Sequence, residues 1–198
     1  MSNIFLTIIK SIFALLILPI IIASVTVVQG HFVHYPNIYQ EFFFWGMLAF
    51  LITFLFLYQF WGFYEFGQKA MKTIFGFMSP LNRFMSTSIP FYFTVTMIAF
   101  WAIKNFFQTN NYDHHFIFFA GFALTMHILM TAQNLQEQEK TPIKPTYLFT
   151  ISLSVLINIL LSILLMDLAS GRWTFPVFFN ELIKQTQHTY ELILNIFP

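Results

Sequence analysis

The sequence predicts an all-α, polytopic membrane protein with about five transmembrane helices and a C-terminal amphipathic helix. Residues 42–64 run without a charge, and about 20 apolar helical residues suffice to cross a bilayer core of about 30 Å. Hydrophobic residues make up 58% of the 198 residues and charged residues 9%, against roughly 25% charged in soluble domains. We expect a transmembrane helical domain over 1–170 and the amphipathic helix over 171–198.

Charge-poor stretches locate the spans, at about 4–28, 42–64, 89–103, 116–132 and 146–166. The first span contains Pro19 and is expected to stay as an anchor rather than to be cleaved as a signal peptide. Lys and Arg gather in the loops after the second and fourth spans, which the positive-inside rule assigns to the cytoplasm. We therefore expect a bacterial inner-membrane protein with its N-terminus inside and its C-terminus on the external side.

The tail after the fifth span shows a helical period from Pro176 onwards. Its apolar stripe is the expected interaction surface and comprises Phe178, Phe179, Leu182, Ile183, Tyr190, Ile193, Leu194 and Phe197. A helix of this kind either lies in the membrane interface or packs on a partner subunit, and the sequence leaves both alternatives open.

Two loops predicted on the external side hold candidate metal ligands. These candidates are His31 and His34 in the first loop, and Asp113, His114 and His115 in the second. Neutral imidazoles with a carboxylate can bind zinc, copper or iron. Their spacing matches no ligand motif, so loop histidines without a metal are the simpler interpretation.

Other polar groups lie within or near the spans. His127 has no second intramembrane histidine with which to hold a haem, so we expect it to hydrogen-bond a neighbouring helix or Thr131. Asn158 in the fifth span is expected to hydrogen-bond between helices. Asp167 lies near a span end, and its carboxylate is expected to reach the membrane interface.

The stretch 63–77, FYEFGQKAMKTIFGF, joins an apolar span to a polar helical turn. It is similar to the small membrane members of the site-2-protease clan of intramembrane zinc metallopeptidases, in which a span ends in a segment such as YVFGHELTHALFGFL. Leu18-Pro19, the run 121–129 and the charged loop before Tyr147 also resemble parts of such chains. The resemblance covers roughly residues 12–178.

The resemblance implies a degenerate member of the clan. With the two segments lined up on Gly67, Gln68 takes the place of the first zinc histidine, Lys69 that of the general-base Glu, and Lys72 that of the second histidine. HExxH needs two imidazoles on one helix face and a carboxylate base, and a protonated lysine has no lone pair to offer. The simpler interpretation is a helix end in which Glu65 and Lys69 pair at i, i+4.

Three functions are therefore considered. The first is a non-catalytic structural or accessory subunit of a larger membrane complex, with other membrane subunits and lipid as partners. The second is a catalytically dead intramembrane-protease relative that binds membrane segments, and the third is a small transporter or a quinone-binding redox anchor. A net charge of +1 without a basic cluster argues against nucleic acid, and the absence of Cys excludes thiolate sites. No cofactor is predicted, and a bound lipid is compatible with the sequence.

Overall fold

The computed structural model describes residues 2–57, 59–79, 82–107, 112–138 and 145–195. Within these ranges the chain folds into helices and turns without a strand. The helices are α1 Ser2–His31, α2 Asn37–Leu57, α3 Trp61–Ile74, α4 Asn82–Ser88, α5 Phe91–Phe107, α6 Asp113–Gln138, α7 Pro145–Ser170 and α8 Phe175–Leu194, with a 3-10 turn over Phe32–His34. The prediction of an all-α chain is confirmed.

Four helical stretches of the described chain are long and apolar enough to cross a membrane. They are Thr7–His34, Asn37–Leu57, Asp113–Gln138 and Thr146–Ser170. Helix α5, which corresponds to the predicted span 89–103, is also apolar but has only 17 residues. These helices identify an integral membrane protein.

The predicted span 42–64 was too long. Helix α2 ends at Leu57 and α3 begins at Trp61, so Tyr64 belongs to the next helix. The Phe60 ring packs against α2, with its centroid 5.1 Å from that of the Phe50 ring. An uncharged, aromatic-rich stretch without Gly or Pro at the break gave no signal of this turn.

Helices α2 and α6 form the closest pair and run parallel. Near the start of the pair, the Tyr39 hydroxyl hydrogen-bonds the carboxylate of Asp113. Further along, Gly46 lies against the backbone of Phe118 and Phe122. Small residues at such crossings let two helix backbones approach without a side chain between them.

The remaining long helices define two ends of the bundle. Lys10 Nζ donates a hydrogen bond to Thr146 Oγ1 (3.2 Å), and the Phe13 ring lies 6.5 Å from that of Phe149, so α1 and α7 run parallel. We call the end at which α1 and α7 begin the proximal end. The opposite end, at which α2, α6 and α8 begin, is the distal end.

Helices α4 and α5 form one interrupted path through the bundle. Ser88, the last residue of α4, is buried near the middle of α7. Ser154 Oγ donates to Ser88 Oγ (3.1 Å), and Asn158 Nδ2 donates to the Ser88 carbonyl (3.0 Å). The prediction that Asn158 bonds another helix is confirmed. The chain breaks at Pro90, and α5 continues to the distal end.

Helix α8 turns back along α1. Helix α7 ends at Ser170 and is followed by Gly171 at φ 71°, a left-handed conformation that glycine adopts readily at helix ends. The Phe178 ring lies 5.2 Å from that of His31, and the Tyr190 hydroxyl donates to the Leu16 carbonyl. As residue numbers rise along α8 they fall along α1, so the two helices are antiparallel.

Candidate functional site: a polar cavity at the proximal end

A cavity of about 790 Å³ opens at the proximal end between α3, α4 and α6. One face of α3 forms its largest wall, with Trp61, Tyr64, Glu65, Gln68, Lys69 and Lys72. Helix α4 adds Asn82 and Thr87, and α6 adds Asn134 and Gln138. Gln68, Lys69 and Lys72, the three positions that the resemblance compares with a zinc motif, therefore line a common cavity.

Tyr64 is the centre of the hydrogen bonds in this wall. Its side chain is 3% exposed, and its hydroxyl lies 3.1 Å from Thr131 Oγ1 on α6. The amides of Gln68 and Asn134 both donate to the same hydroxyl. Burial raises the pKa of Tyr64, while these hydrogen bonds oppose the rise, so the phenol is neutral at physiological pH.

The charged groups of the cavity are unevenly paired. The Glu65 carboxylate accepts a hydrogen bond from Trp61 Nε1 at 2.7 Å. Lys69 and Lys72 are exposed, and neither forms an ion pair with a carboxylate in the part of the chain that the structure describes. The predicted Glu65–Lys69 pair is therefore not formed. Two lysines without a carboxylate partner in the lining of a polar cavity favour an anionic ligand over a metal cation.

His127 lies beside this cavity, at the middle of α6. It lines a narrow side pocket that shares Tyr64 and Gln68 with the main cavity. The imidazole hydrogen-bonds the backbone of Thr87 and Ser88, which confirms the predicted bond to a neighbouring helix. Its Nε2 is buried without a partner among the described residues.

A second polar network lies buried at the distal end, around Asp167. Asp167 Oδ1 accepts hydrogen bonds from the Tyr35 hydroxyl (2.7 Å) and from Thr174 Oγ1 (2.8 Å). Asp167 Oδ2 accepts the backbone N–H groups of Thr174 and Phe175, where α8 begins. The expectation that Asp167 reaches the interface was wrong, because its carboxylate is 0% exposed and caps α8.

This network also holds neighbouring groups in place. Burial raises the pKa of Tyr35, and the Asp167 carboxylate raises it further, so the phenol remains a donor. His31 Nε2 lies 2.9 Å from Thr174 Oγ1. These hydrogen bonds connect α1, α7 and the start of α8. The network around Asp167 therefore has a structural role.

The candidate metal ligands lie at the distal end in two histidine pairs and one hydrogen-bonded carboxylate. The rings of His31 and His34 lie 5.0 Å apart, and those of His114 and His115 lie 4.1 Å apart. Asp113 accepts the hydrogen bond from Tyr39. Among the described residues, no three His, Cys, Asp or Glu side chains come together as a possible metal site.

The predicted interaction stripe of the tail divides into two parts. Phe178 and Leu182 are buried against Ala23, Val27 and Ile163 of the same chain. Tyr190 and Ile193 are half-buried, whereas the exposed members are Phe179, Ile183 and Leu194. Phe197 lies outside the described residues. Half of the stripe therefore packs within the chain itself.

Tyr64, Asn82, Thr87 and Asn134 were not singled out as a site from the sequence. Tyr64 and Gln68 are spaced i, i+4, and that spacing could have indicated a shared helix face. Nothing local connects them with α4 or α6. Comparison with known proteins finds no family model that matches the sequence, and neither a curated protein nor a solved structure that is significantly similar to the chain.

Proposed function

We propose that this chain is a non-catalytic subunit of a larger membrane complex, and that α8 contacts its partner. The observation that supports the proposal is the position of α8 beside α1. Their contacts run from the His31–Phe178 pair to the Tyr190–Leu16 bond, along a stretch of α1 that carries no Asp, Glu, Lys or Arg. With α1 across the bilayer, α8 lies at the depth of the hydrocarbon rather than flat on the surface.

Polar side chains of α8 then face outwards at that depth. The exposed ones are Asn180, Glu181, Lys184, Gln187, His188 and Glu191. A charged side chain in lipid costs about 2.5–3.5 kcal/mol or more, so lipid alone is a poor neighbour for this face. Exposed Phe179 and Ile183 lie among them, as is typical of a protein interface.

The partner that fits this face is a different membrane protein with charged groups of its own at the same depth. Glu181 and Glu191 flank Lys184 along the helix, so complementary charges would fix the register of the contact. The proposal includes five spans, with α5 as the short one. It also includes a bacterial inner-membrane location with the proximal end, which carries Lys69 and Lys72, in the cytoplasm.

The substitution Lys184→Glu tests this interface. Because the side chain is exposed, we expect the folded chain to keep its thermal unfolding midpoint in detergent. Reversing a charge in a polar interface should lower partner recovery about tenfold or more. The measurement is a mild-detergent purification of the tagged native protein, followed by the mass of the intact particle and of its components.

Glu41→Lys is the matched control, since Glu41 is also exposed but lies on α2. It should leave partner recovery unchanged. A lone species of 23.4 kDa from unmodified protein, or an oligomer of this chain alone, would overturn the proposed function. So would full recovery of partners with Lys184→Glu.

A second candidate, a dead relative of the intramembrane zinc proteases, is favoured by one observation. Gln68, Lys69 and Lys72 line the same cavity, as the corresponding catalytic residues would have to. Restoring the motif with Gln68→His, Lys69→Glu and Lys72→His should then create a zinc site, because two imidazoles at i, i+4 share a helix face.

Zinc retained after dialysis is the measurement for this candidate. About one equivalent should remain on the restored variant, and none on a control that carries only Lys69→Glu. Equal zinc on both proteins would argue against the resemblance. A transporter or quinone anchor, the third possibility, is supported by the break at Pro90 between α4 and α5.

A further inference from the structure

We propose that the proximal cavity binds a phosphate-bearing headgroup whose phosphate has a hydroxyl or ammonium group beside it. The cavity has a volume of about 790 Å³, which falls within the range of small-molecule sites. This inference rests on the lining of the cavity and does not depend on the partner proposed for α8.

The charges of the cavity select an anion. Lys69 and Lys72 line one wall of the cavity and lack a carboxylate partner among the described residues. The lining carboxylate, Glu65, is held by Trp61 Nε1. Glu137 of α6 lies outside the cavity, in a neighbouring hollow that shares Trp61, and it accepts a hydrogen bond from Gln133. Lysine ammonium groups bind phosphate as point charges.

The amide of Asn82 indicates which chemical group the ligand carries next to its phosphate. Asn82 Nδ2 donates to the Lys72 carbonyl, but its buried Oδ1 has no donor within the described chain. A buried amide oxygen without a partner costs about 1–3 kcal/mol, so a ligand hydroxyl or ammonium is a fitting complement. Two lysines and an asparagine with an unpaired amide oxygen among the lining residues match glycerol phosphate or ethanolamine phosphate better than a bare phosphate.

The surroundings of the cavity match the headgroup layer of a membrane. The face of α3 turned away from the cavity exposes Phe63, Phe66 and Ile74, and Phe77 is exposed just beyond the helix. A short helix with apolar side chains on one face and lysines on the other lies in the membrane interface. A phospholipid headgroup and a free glycerol phosphate share the chemistry required, and experiment can separate these two sources.

The test uses the full chain in detergent micelles and measures binding of short-chain phosphatidylglycerol. Lys69→Gln combined with Lys72→Gln should weaken binding about tenfold or more, since each lysine near an anionic headgroup contributes about 1 kcal/mol. Lys10→Gln is the matched control, because Lys10 also lies at the proximal end but bonds Thr146 outside the cavity. It should change the Kd by less than about twofold.

Competition with glycerol 1-phosphate distinguishes the sources. Displacement of the lipid by the soluble compound indicates a site for the free phosphate ester, and lipid binding without displacement indicates a lipid site. Both outcomes support the proposal, provided that the double variant unfolds at the same temperature as the unmodified chain. Undetectable binding of both compounds, or equal binding by the double variant and the unmodified chain, would overturn it.

Discussion

Alanine at Gly46 or Gly121 is expected to separate α2 from α6 and to leave little folded protein. A Cβ on Gly46 would overlap the Phe118 carbonyl oxygen and lie 2.9 Å from Phe122 N. A Cβ on Gly121 would overlap the Phe43 carbonyl and lie 3.0 Å from its carbon. Because the obstacles are backbone atoms, no rotamer change relieves them, and the cost should reach about 3 kcal/mol or more. Thermal unfolding and yield in detergent measure the effect.

Gly30 and Gly62 provide the internal controls. Both lie within helices, and a Cβ on either would meet nothing within 4 Å. Gly30→Ala and Gly62→Ala should therefore keep the unfolding midpoint or raise it slightly, since alanine favours a helix over glycine and both sites lie at helix ends. A Gly121→Ala protein as stable as the unmodified chain would show that the α2–α6 contact is looser than described.

Replacing Asp167 with alanine is expected to have the second largest effect, a loss of about 3 kcal/mol, because several buried donors lose their acceptor. The carboxylate accepts hydrogen bonds from the Tyr35 and Thr174 hydroxyls and from the N–H groups of Thr174 and Phe175. Alanine leaves all four donors buried or competing for weaker partners. Helix α8 also loses the negative charge at its N-terminus. Unfolding temperature and the rate of proteolysis within α8 are the measurements.

Two milder variants show which part of this network matters. Asp167→Asn keeps one oxygen for the backbone N–H groups, while its NH2 can donate to hydroxyls that rotate to accept. Its loss should be smaller than that of the alanine variant. Tyr35→Phe removes one donor and should cost about 0.5–1.5 kcal/mol. Equal stability of the alanine and unmodified chains would contradict the anchoring role of Asp167.

The apolar spans of this fold could be predicted because membrane helices must be long, uncharged and internally hydrogen-bonded. The turn between α2 and α3 could not be predicted in the same way, because the residues on both sides of Leu57 are uncharged and mostly apolar. Helix α4 was missed because it has only seven residues, four of them Asn, Ser or Thr, and their hydrogen-bond partners lie on distant helices such as α3 and α7.

Some residues of the candidate site that lie on α3 could be identified from the sequence, whereas those from other helices could not. The resemblance to the zinc peptidases singled out Gln68, Lys69 and Lys72, and the structure places all three in the lining of one cavity. Their neighbours Asn82 and Asn134 come from other helices, which no local pattern connects. Asp167 was misjudged because a carboxylate near a span end usually reaches water, whereas here the turn after α7 folds two N–H groups back onto it.

The interrupted path of α4 and α5 sets an order for insertion of the protein during synthesis. Ser88 depends on hydrogen bonds from Ser154 and Asn158, which follow it by 66 and 70 residues. At about 5–20 residues per second, the ribosome needs roughly 4 to 14 s to make that stretch. Until α7 is made, the end of α4 lacks these two hydrogen bonds. We therefore expect α4 and α5 to reach their final position in the bilayer only after α7 has been made.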